Sequence, residues 1–348
     1  MLPYWVLFGI FALGAIAHRR ESGSLVSTPL FALAALLMMA MIGLRFEIGP
    51  DWQAYLIIFE RLGQKFLAAL EYGDPGFYSL IWLVKALGLD FWALNLVCAA
   101  IFTLGLAAFA KRQQNPWLAI AVAVPYLVIV IAMSAMRQAT AIGFILMGLA
   151  AFADKSLYRF LFWIFFASLF HASALIMLPI VGLSYTRNRF QSVLLLCVVA
   201  LPAYYLLAAN FEVYIERYTA KNMASEGTAY RIAMNALPAV IFLFLKHKFA
   251  AEPHQKTLWT NFALGAVACI FVAIAFPEST ALDRVVLYVI PLQIYVFGNL
   301  PAALSTNQKD HLVLVLAIIL YLAMILMVYL SFSLHRRFYI PYQLYPLS

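Results

Sequence analysis

Charged side chains are scarce in this chain. Of its 348 residues, 11% are charged and 66% are apolar, and the mean hydropathy is +0.92. Soluble domains carry about a quarter charged residues and about half apolar ones, so the composition excludes an ordinary soluble enzyme, a disordered chain and a coiled coil. The polar–apolar alternation of a transmembrane barrel is lacking too, because apolar runs such as 116–136 and 311–332 are continuous. The sequence therefore predicts an all-α polytopic membrane protein.

Cysteine is equally rare, and the chain has three: Cys98, Cys197 and Cys269. Each lies inside an apolar run and none shows metal-ligand spacing, which excludes a disulfide scaffold and indicates small buried hydrophobes. The sequence also lacks internal repeats, low-complexity tracts and Rossmann, P-loop or zinc motifs. We therefore predict a single integral membrane domain over residues 1–348.

The net charge of +8 would indicate nucleic-acid binding in a soluble protein. In a membrane protein, an excess of Lys and Arg is typical of cytoplasmic loops, and it also suits anionic ligands. The apolar composition thus predicts the lipid bilayer as a partner, and the charge predicts cytoplasmic loops and an anionic ligand, with no nucleic-acid partner.

Apolar runs approach the roughly 20 residues that cross a hydrocarbon core and predict about 10–12 transmembrane helices. Residues 157–184 could form one long tilted helix or two short helices that break near His171. Two helices are favoured, because a single crossing would invert the orientation of everything downstream. The predicted spans are 2–17, 27–44, 91–110, 116–136, 139–153, 157–170, 172–184, 190–209, 232–245, 258–276, 285–300 and 311–332.

Two segments, 45–90 and 210–230, are too polar to span and are predicted to be outer-face loops. Within the first, the apolar spacing predicts short amphipathic helices at 52–62 and 76–88 that lie on the membrane interface. In this topology the inner loops hold 12 of the 23 Lys and Arg residues and 4 of the 15 acids, so the net positive charge lies inside, although the positive-inside rule counts only Lys and Arg.

Four arginines fall at the outer ends of predicted spans: Arg45, Arg137, Arg231 and Arg284. Ionisable groups beside membrane spans are costly and suggest function. The planar guanidinium binds phosphate bidentately and would stabilise the charge on a departing diphosphate. The alternative is that each arginine merely extends to the interface. We predict that these arginines meet at one outer-face pocket for a diphosphate.

Other polar residues are candidates for acid–base chemistry or sugar contacts. Asp51, Glu71 and Asp74 lie among aromatic residues and could bind sugar hydroxyls or accept a proton from an attacking hydroxyl, although such loops also occur at ordinary membrane interfaces. His171 could be a base, a phosphate donor or a packed polar group, and the sequence shows no clear acidic partner for it. Gln138 is placed beside Arg137 and could orient it.

Motifs that are weak singly but ordered along nearly the whole chain resemble the EpsG family of Wzy-like polysaccharide polymerases. They are R-x-x-x-G-x-D-x-x-x-Y at Arg45, Gly49, Asp51 and Tyr55; E-x-x-x-x-G-F at Glu71, Gly76 and Phe77; M-R-Q at 136–138; D-K-S-x-x-R-F at 154–160; F-H-x-S-A-L at 170–175; Arg231 at the start of a later span; R-x-x-x-Y at Arg284 and Tyr288; and a closing Tyr339, Pro341 and Tyr342.

The resemblance implies a GT-C-like polymerase and ligase architecture and a metal-independent membrane glycosyltransferase without a cofactor. Such a protein transfers a growing glycan from undecaprenyl pyrophosphate to a lipid-linked repeat unit at the periplasmic face of the bacterial inner membrane. The implied partner is an undecaprenyl-pyrophosphate-linked oligosaccharide, and a chain-length regulator stays open as a second.

The resemblance also suggests roles for individual residues. Arg137, Arg231 and Arg284 would hold the diphosphate, with His171 beside them. Asp51 or Glu71 would be the base, and Arg45 would either fix its loop or touch phosphate. The residues expected to bind substrate are Arg45, Tyr55, Gln138, Tyr288, Tyr339 and Tyr342. Alternative functions are a flippase or transporter of a lipid-linked glycan, a glycan ligase, and a membrane acyltransferase that uses His171.

Overall fold

A computed structural model of the protein describes residues 1–18, 27–63, 66–67, 73–185, 228–275 and 280–347. These residues form helices joined by turns, with no β-strand among them, which confirms the predicted all-α membrane class. The helices are α1 (Leu2–Ala17), α2 (Ser27–Gly43), α3 (Trp52–Arg61), α4 (Pro75–Ala86), α5 (Phe91–Ala110), α6 (Pro116–Ala123), α7 (Met136–Ala153), α8 (Leu157–Phe170), α9 (Met177–Tyr185), α10 (Thr228–Leu245), α11 (Pro253–Ala275), α12 (Thr280–Leu287), α13 (Pro291–Leu304) and α14 (Gln308–Phe332).

Most predicted helices are present close to their expected bounds. The break near His171 is confirmed, because α8 ends at Phe170 and a short 3₁₀ helix, Ala172–Ile176, precedes α9. The interfacial helices expected at 52–62 and 76–88 are α3 and α4. The span predicted at 190–209 and nearly all of the loop predicted at 210–230 lie outside the described residues.

Within the described residues, five stretches are long and apolar enough to cross a membrane: Phe91–Ala110, Met136–Ala153, Pro253–Ala275, Arg284–Leu304 and Gln308–Phe332. They differ in how far the protein encloses them. The spanning window of α7 is 83% buried, whereas that of α14 is 22% buried. Helix α7 is therefore an internal helix, and most of α14 faces outward.

The predicted span 285–300 is interrupted in the structure. Helix α12 ends at Leu287, residues 288–290 form turns, and α13 begins at Pro291. Proline lacks the backbone N–H that continues a helix and disfavours the helical conformation of the residue before it. Arg284 consequently lies in the last turn of an eight-residue helix, and it is also the first residue of the apolar stretch Arg284–Leu304, as predicted.

The chain folds into two compact units, residues 1–171 with 297–348 and residues 172–296. In the first unit, α7 packs against α5 and α8. Helices α5 and α7 approach to backbone contact, since a Cβ added at Gly105 would lie 2.0 Å from the carbonyl oxygen of Gly143. Small residues allow such close helix crossings in membranes.

The second unit contains α9 to α12, and α10 packs against α11 and α12. Its apolar cluster consists of Ile232, Cys269, Leu282 and Val286. Beside the cluster, the Asn235 side chain donates to the Val286 carbonyl at 3.0 Å and accepts from the Gln293 amide at 2.8 Å. Buried amides need such partners, and these bonds tie α10 to the segment from α12 to α13.

Two of the three cysteines fall within the described residues, and both are buried free thiols. Cys98 lies on α5 and Cys269 on α11. Their burial confirms the interpretation of these two residues as small hydrophobes, while Cys197 lies outside the described residues.

Candidate functional site

Three ionisable side chains from distant parts of the first unit meet at one carboxylate oxygen. The Nη1 of Arg137 donates to Oδ2 of Asp74 at 2.9 Å, and Nδ1 of His171 lies 3.6 Å from the same oxygen. Their side-chain exposures are 33% for Arg137, 12% for Asp74 and 9% for His171. We call these three residues the Asp74 cluster.

Helix α4 brings Asp74 to the cluster. Asp74 precedes Pro75, which occupies the first turn of α4, where its missing N–H is tolerated. The next residue, Gly76, faces the end of α8 so closely that an added Cβ would lie 2.9 Å from Leu169 Cβ and 3.0 Å from the Phe170 ring. A side chain at position 76 would push α4 away from the residues that precede His171.

His171 lies where α8 ends. Its backbone is extended, with φ −160° and ψ 112°, and its N–H still bonds the Ala167 carbonyl at 2.9 Å. This conformation ends the helix and turns the ring out of the helical register. Neither ring nitrogen is within hydrogen-bond distance of a partner among the described residues. Nδ1 lies 3.6 Å from Oδ2 of Asp74.

Arg137 lies in the first turn of α7, and Tyr55 of α3 packs beside it. The Arg137 backbone N–H donates to the Tyr55 hydroxyl at 3.4 Å. The Tyr55 ring meets Phe77 edge to face at 5.6 Å between centroids. Burial raises the pKa of the Tyr55 phenol, which keeps it neutral at physiological pH. Tyr55 therefore connects the start of α7 to α3 and α4.

Asp51, a predicted base, lies just before α3 and contacts the turn that precedes α7. Its Oδ2 accepts a hydrogen bond from Ser134 Oγ at 2.8 Å. Gly49 allows this approach, because its φ is +97° and an added Cβ would lie 2.1 Å from the Met133 carbonyl oxygen. In a left-handed conformation at backbone contact, only glycine fits. The first motif thus packs against the start of α7.

Arg45 is buried, with 2% exposure, and its guanidinium bonds its own segment. Nη1 donates to the Ile42 carbonyl at 2.6 Å and Nε to the Ile48 carbonyl at 3.4 Å, while the group lies over the Trp52 ring at 5.6 Å. Of the two roles expected for Arg45, these contacts favour fixing the loop.

The closing aromatic–proline segment pairs with this same loop. The N–H of Phe46 bonds the Gln343 carbonyl at 3.1 Å, and the N–H of Tyr345 bonds the Leu44 carbonyl at 2.8 Å. Tyr339 is fully buried and its hydroxyl donates to the Val130 carbonyl at 3.1 Å. The Tyr342 hydroxyl donates to the Met41 carbonyl at 2.8 Å. Both tyrosines, expected in a sugar cleft, hold backbone segments together in the structure.

The second unit carries the other predicted arginines. Arg231 and Arg284 lie on α10 and α12, which pack together, and both are half-buried. Tyr288 is buried and its hydroxyl shares a hydrogen bond with Ser173 at 2.8 Å. Gln138, next to Arg137, is buried on α7, and Glu71 lies outside the described residues.

Asp74 is among the carboxylates that the sequence places on the outer face, but the sequence prediction assigns the base to Asp51 or Glu71. Its motif, E-x-x-x-x-G-F, directed attention to Glu71, three residues earlier. The available signal was Asp74 directly before Pro75 and Gly76, since such a segment begins a helix and orients its first side chain. The acidic partner that His171 lacked in the sequence is this carboxylate.

Comparison with known proteins adds one family match. The model of the EpsG family matches residues 29–344, which include the Asp74 cluster, Arg45, Asp51 and the closing tyrosines. No curated protein and no solved structure matches the chain.

Proposed function

Since the chain belongs to the EpsG family of Wzy-like polysaccharide polymerases, we propose that it elongates a glycan on a polyprenyl diphosphate. The growing chain leaves undecaprenyl pyrophosphate and joins a lipid-linked repeat unit at the periplasmic face of the bacterial inner membrane. The reaction needs neither a cofactor nor a metal ion in this proposal.

The observation that carries the proposal is the meeting of Arg137 and His171 at Asp74. Asp74 engages Nη1 of the guanidinium, and the Arg137 side chain is one-third exposed. An arginine fork can bond a carboxylate through one nitrogen and a phosphate through the others. A neighbouring imidazole supplies the proton transfer that an attacking hydroxyl needs.

The proposed step is a single displacement. The acceptor hydroxyl oxygen forms a bond to the anomeric carbon of the donor sugar, and the bond from that carbon to the diphosphate oxygen breaks. The electron pair leaves with undecaprenyl diphosphate, whose growing charge Arg137 stabilises. The hydroxyl proton passes to a base in the site.

Arg231 and Arg284 are proposed as further phosphate-binding side chains. Their half-burial on two packed helices suits a charged ligand better than free solvent. Arg45 is proposed as a positioning residue, because its guanidinium is buried and bonded to backbone carbonyls. Asp51 and Tyr55 are proposed to position the start of α7.

The test uses purified enzyme in detergent with lipid-linked repeat units, and gel analysis of the glycan ladder. Arg137→Lys should reduce elongation at least a hundredfold, because a point charge cannot reproduce the guanidinium fork. The matched control is Arg112→Lys. Arg112 pairs with Asp154 at the other end of α7, with Nε 3.0 Å from Oδ1, and its substitution should leave the ladder near normal.

The products also separate the alternative functions. One glycan transferred to a different acceptor without further growth would indicate a ligase. Movement of lipid-linked glycan across vesicles without lengthening would indicate a transporter. A normal ladder from Arg137→Lys would remove Arg137 from the diphosphate site.

A further inference from the structure

We infer that Nε2 of His171 is the base that deprotonates the acceptor hydroxyl, and that Asp74 is the positioning residue that makes it one. The inference rests on the proposed function and replaces the open choice among bases with one atom. The choice of Nε2 follows because the other ring nitrogen, Nδ1, is the one that faces the Asp74 carboxylate.

The carboxylate favours one imidazole tautomer through its charge, because Nδ1 is beyond hydrogen-bond distance of it. An ionised aspartate has no proton to donate, so its attraction favours the tautomer whose proton is on the ring nitrogen that faces it. Nδ1 is that nitrogen, at 3.6 Å from Oδ2. In a neutral imidazole the other nitrogen then has an open lone pair. Nε2 is consequently an acceptor and can take a proton.

The surroundings of Nε2 agree with this role. The ring is nine-tenths buried, yet Nε2 has no hydrogen-bond partner within the part of the chain that the structure describes. A buried polar atom without a protein partner is uncommon and calls for an explanation such as a catalytic role. A substrate hydroxyl is a partner that would satisfy it.

The two carboxylates near the start of α7 are poorer candidates. Oδ2 of Asp74 already accepts a hydrogen bond from the Arg137 guanidinium at 2.9 Å. Oδ2 of Asp51 already accepts from Ser134 at 2.8 Å. Of the described groups in the cluster, the imidazole is the one whose basic atom is open.

The step balances within these residues. As the acceptor oxygen bonds the anomeric carbon, its proton moves to Nε2, and Asp74 stabilises the resulting imidazolium through Nδ1–H. The electron pair of the breaking bond leaves with the diphosphate at Arg137. The imidazolium then returns its proton to water or to the departing diphosphate.

The test compares two acceptors, the natural repeat unit and an analogue whose attacking hydroxyl is replaced by a thiol. A thiol ionises near pH 8.5 without help, so at pH 8.5 it needs no base. His171→Gln and Asp74→Asn should each lose roughly 10²- to 10⁴-fold in kcat with the hydroxyl acceptor. With the thiol acceptor, each should lose less than tenfold.

Two controls accompany these variants. Arg137→Lys should lose activity equally with both acceptors, because the leaving group is unchanged. Asp90→Asn replaces an exposed carboxylate whose side chain does not cap α5, and it should behave as wild type. Each ratio between acceptors is measured on one preparation, so partial misfolding of a variant cancels.

The outcomes are distinguishable. Equal losses of His171→Gln with both acceptors would overturn the base assignment and leave the polymerase function intact. Equal losses of Asp74→Asn alone would remove Asp74 as the positioning residue. Absence of product from the wild-type enzyme with either acceptor would instead overturn the proposed function.

Discussion

At the scale of single residues, the Asp74 cluster joins side chains that lie far apart in the sequence. Arg137 and His171 are notable because each interrupts apolar sequence beside a predicted span. Their shared partner Asp74 lies 63 residues before Arg137, and no local pattern predicts a contact over that distance. Arg45 and Arg137 look alike in the sequence, yet burial separates a loop-fixing guanidinium from a partly exposed one.

Arg45→Lys should lower stability more than it alters substrate handling. Lysine cannot reach both carbonyls or stack on Trp52 as the guanidinium does, and hydrogen bonds to charged groups contribute about 1.5–3 kcal/mol. Thermal unfolding in detergent should therefore shift downward by several degrees. Arg159→Lys, at an exposed position, is the control and should not shift it. An unchanged melting temperature with a raised KM would place Arg45 at phosphate after all.

At the scale of elements, apolar runs and helix-terminating residues predicted most of the helices. Helices α5 and α8 match their predicted ranges, because a strongly apolar run fills each. The apolar run at 285–300 did not predict the turn that divides it before Pro291, although the stretch is long and apolar enough to cross a membrane. It could not show that α4 packs against α8, because that contact depends on the absence of a side chain at Gly76.

Gly76→Ala should impair elongation by displacing α4. The new methyl group would lie 2.9 Å from Leu169 Cβ and 3.1 Å from the Leu169 carbonyl oxygen, so α4 and Asp74 would have to shift from His171. A shift of about 1 Å can reduce a rate roughly a hundredfold. The measurement is kcat from the glycan ladder.

The matched control for this substitution is Gly265→Ala on α11. A Cβ there meets nothing within 4 Å, and alanine favours a helix over glycine by about 1 kcal/mol. This variant should retain full activity and equal or higher stability. Equal activity of the two variants would show that the position of α4 does not govern the site.

At the scale of the whole molecule, the length of α7 separates two charged clusters. Its 18 residues rise about 27 Å, close to the roughly 30 Å of a hydrocarbon core. The Asp74 cluster lies at its first turn, and the Arg112–Asp154 pair lies at its end. Arg112 holds the pKa of the Asp154 carboxyl below its usual range, which keeps that pair charged at neutral pH.

Cysteine labelling tests this arrangement across the membrane. In a variant without native cysteines, Cys replaces either Glu60 on α3 or Lys111 at the end of α5, both exposed. A membrane-impermeant maleimide added to intact cells should label position 60 and spare position 111. Labelling of both positions, or of 111 alone, would contradict the proposed outer-face site.

The pairing of the closing segment with the 44–49 loop bears on how the protein is made. Tyr342 and Met41 bond to each other although 301 residues separate them. At 5–20 residues per second, the ribosome needs about 15–60 s to supply the second partner after the first. During that interval the backbone groups of the loop lack the closing segment as their hydrogen-bond partner, while the intervening helices enter the membrane. The enzyme therefore acquires these contacts late in synthesis, and nascent chains stalled before residue 339 should be inactive.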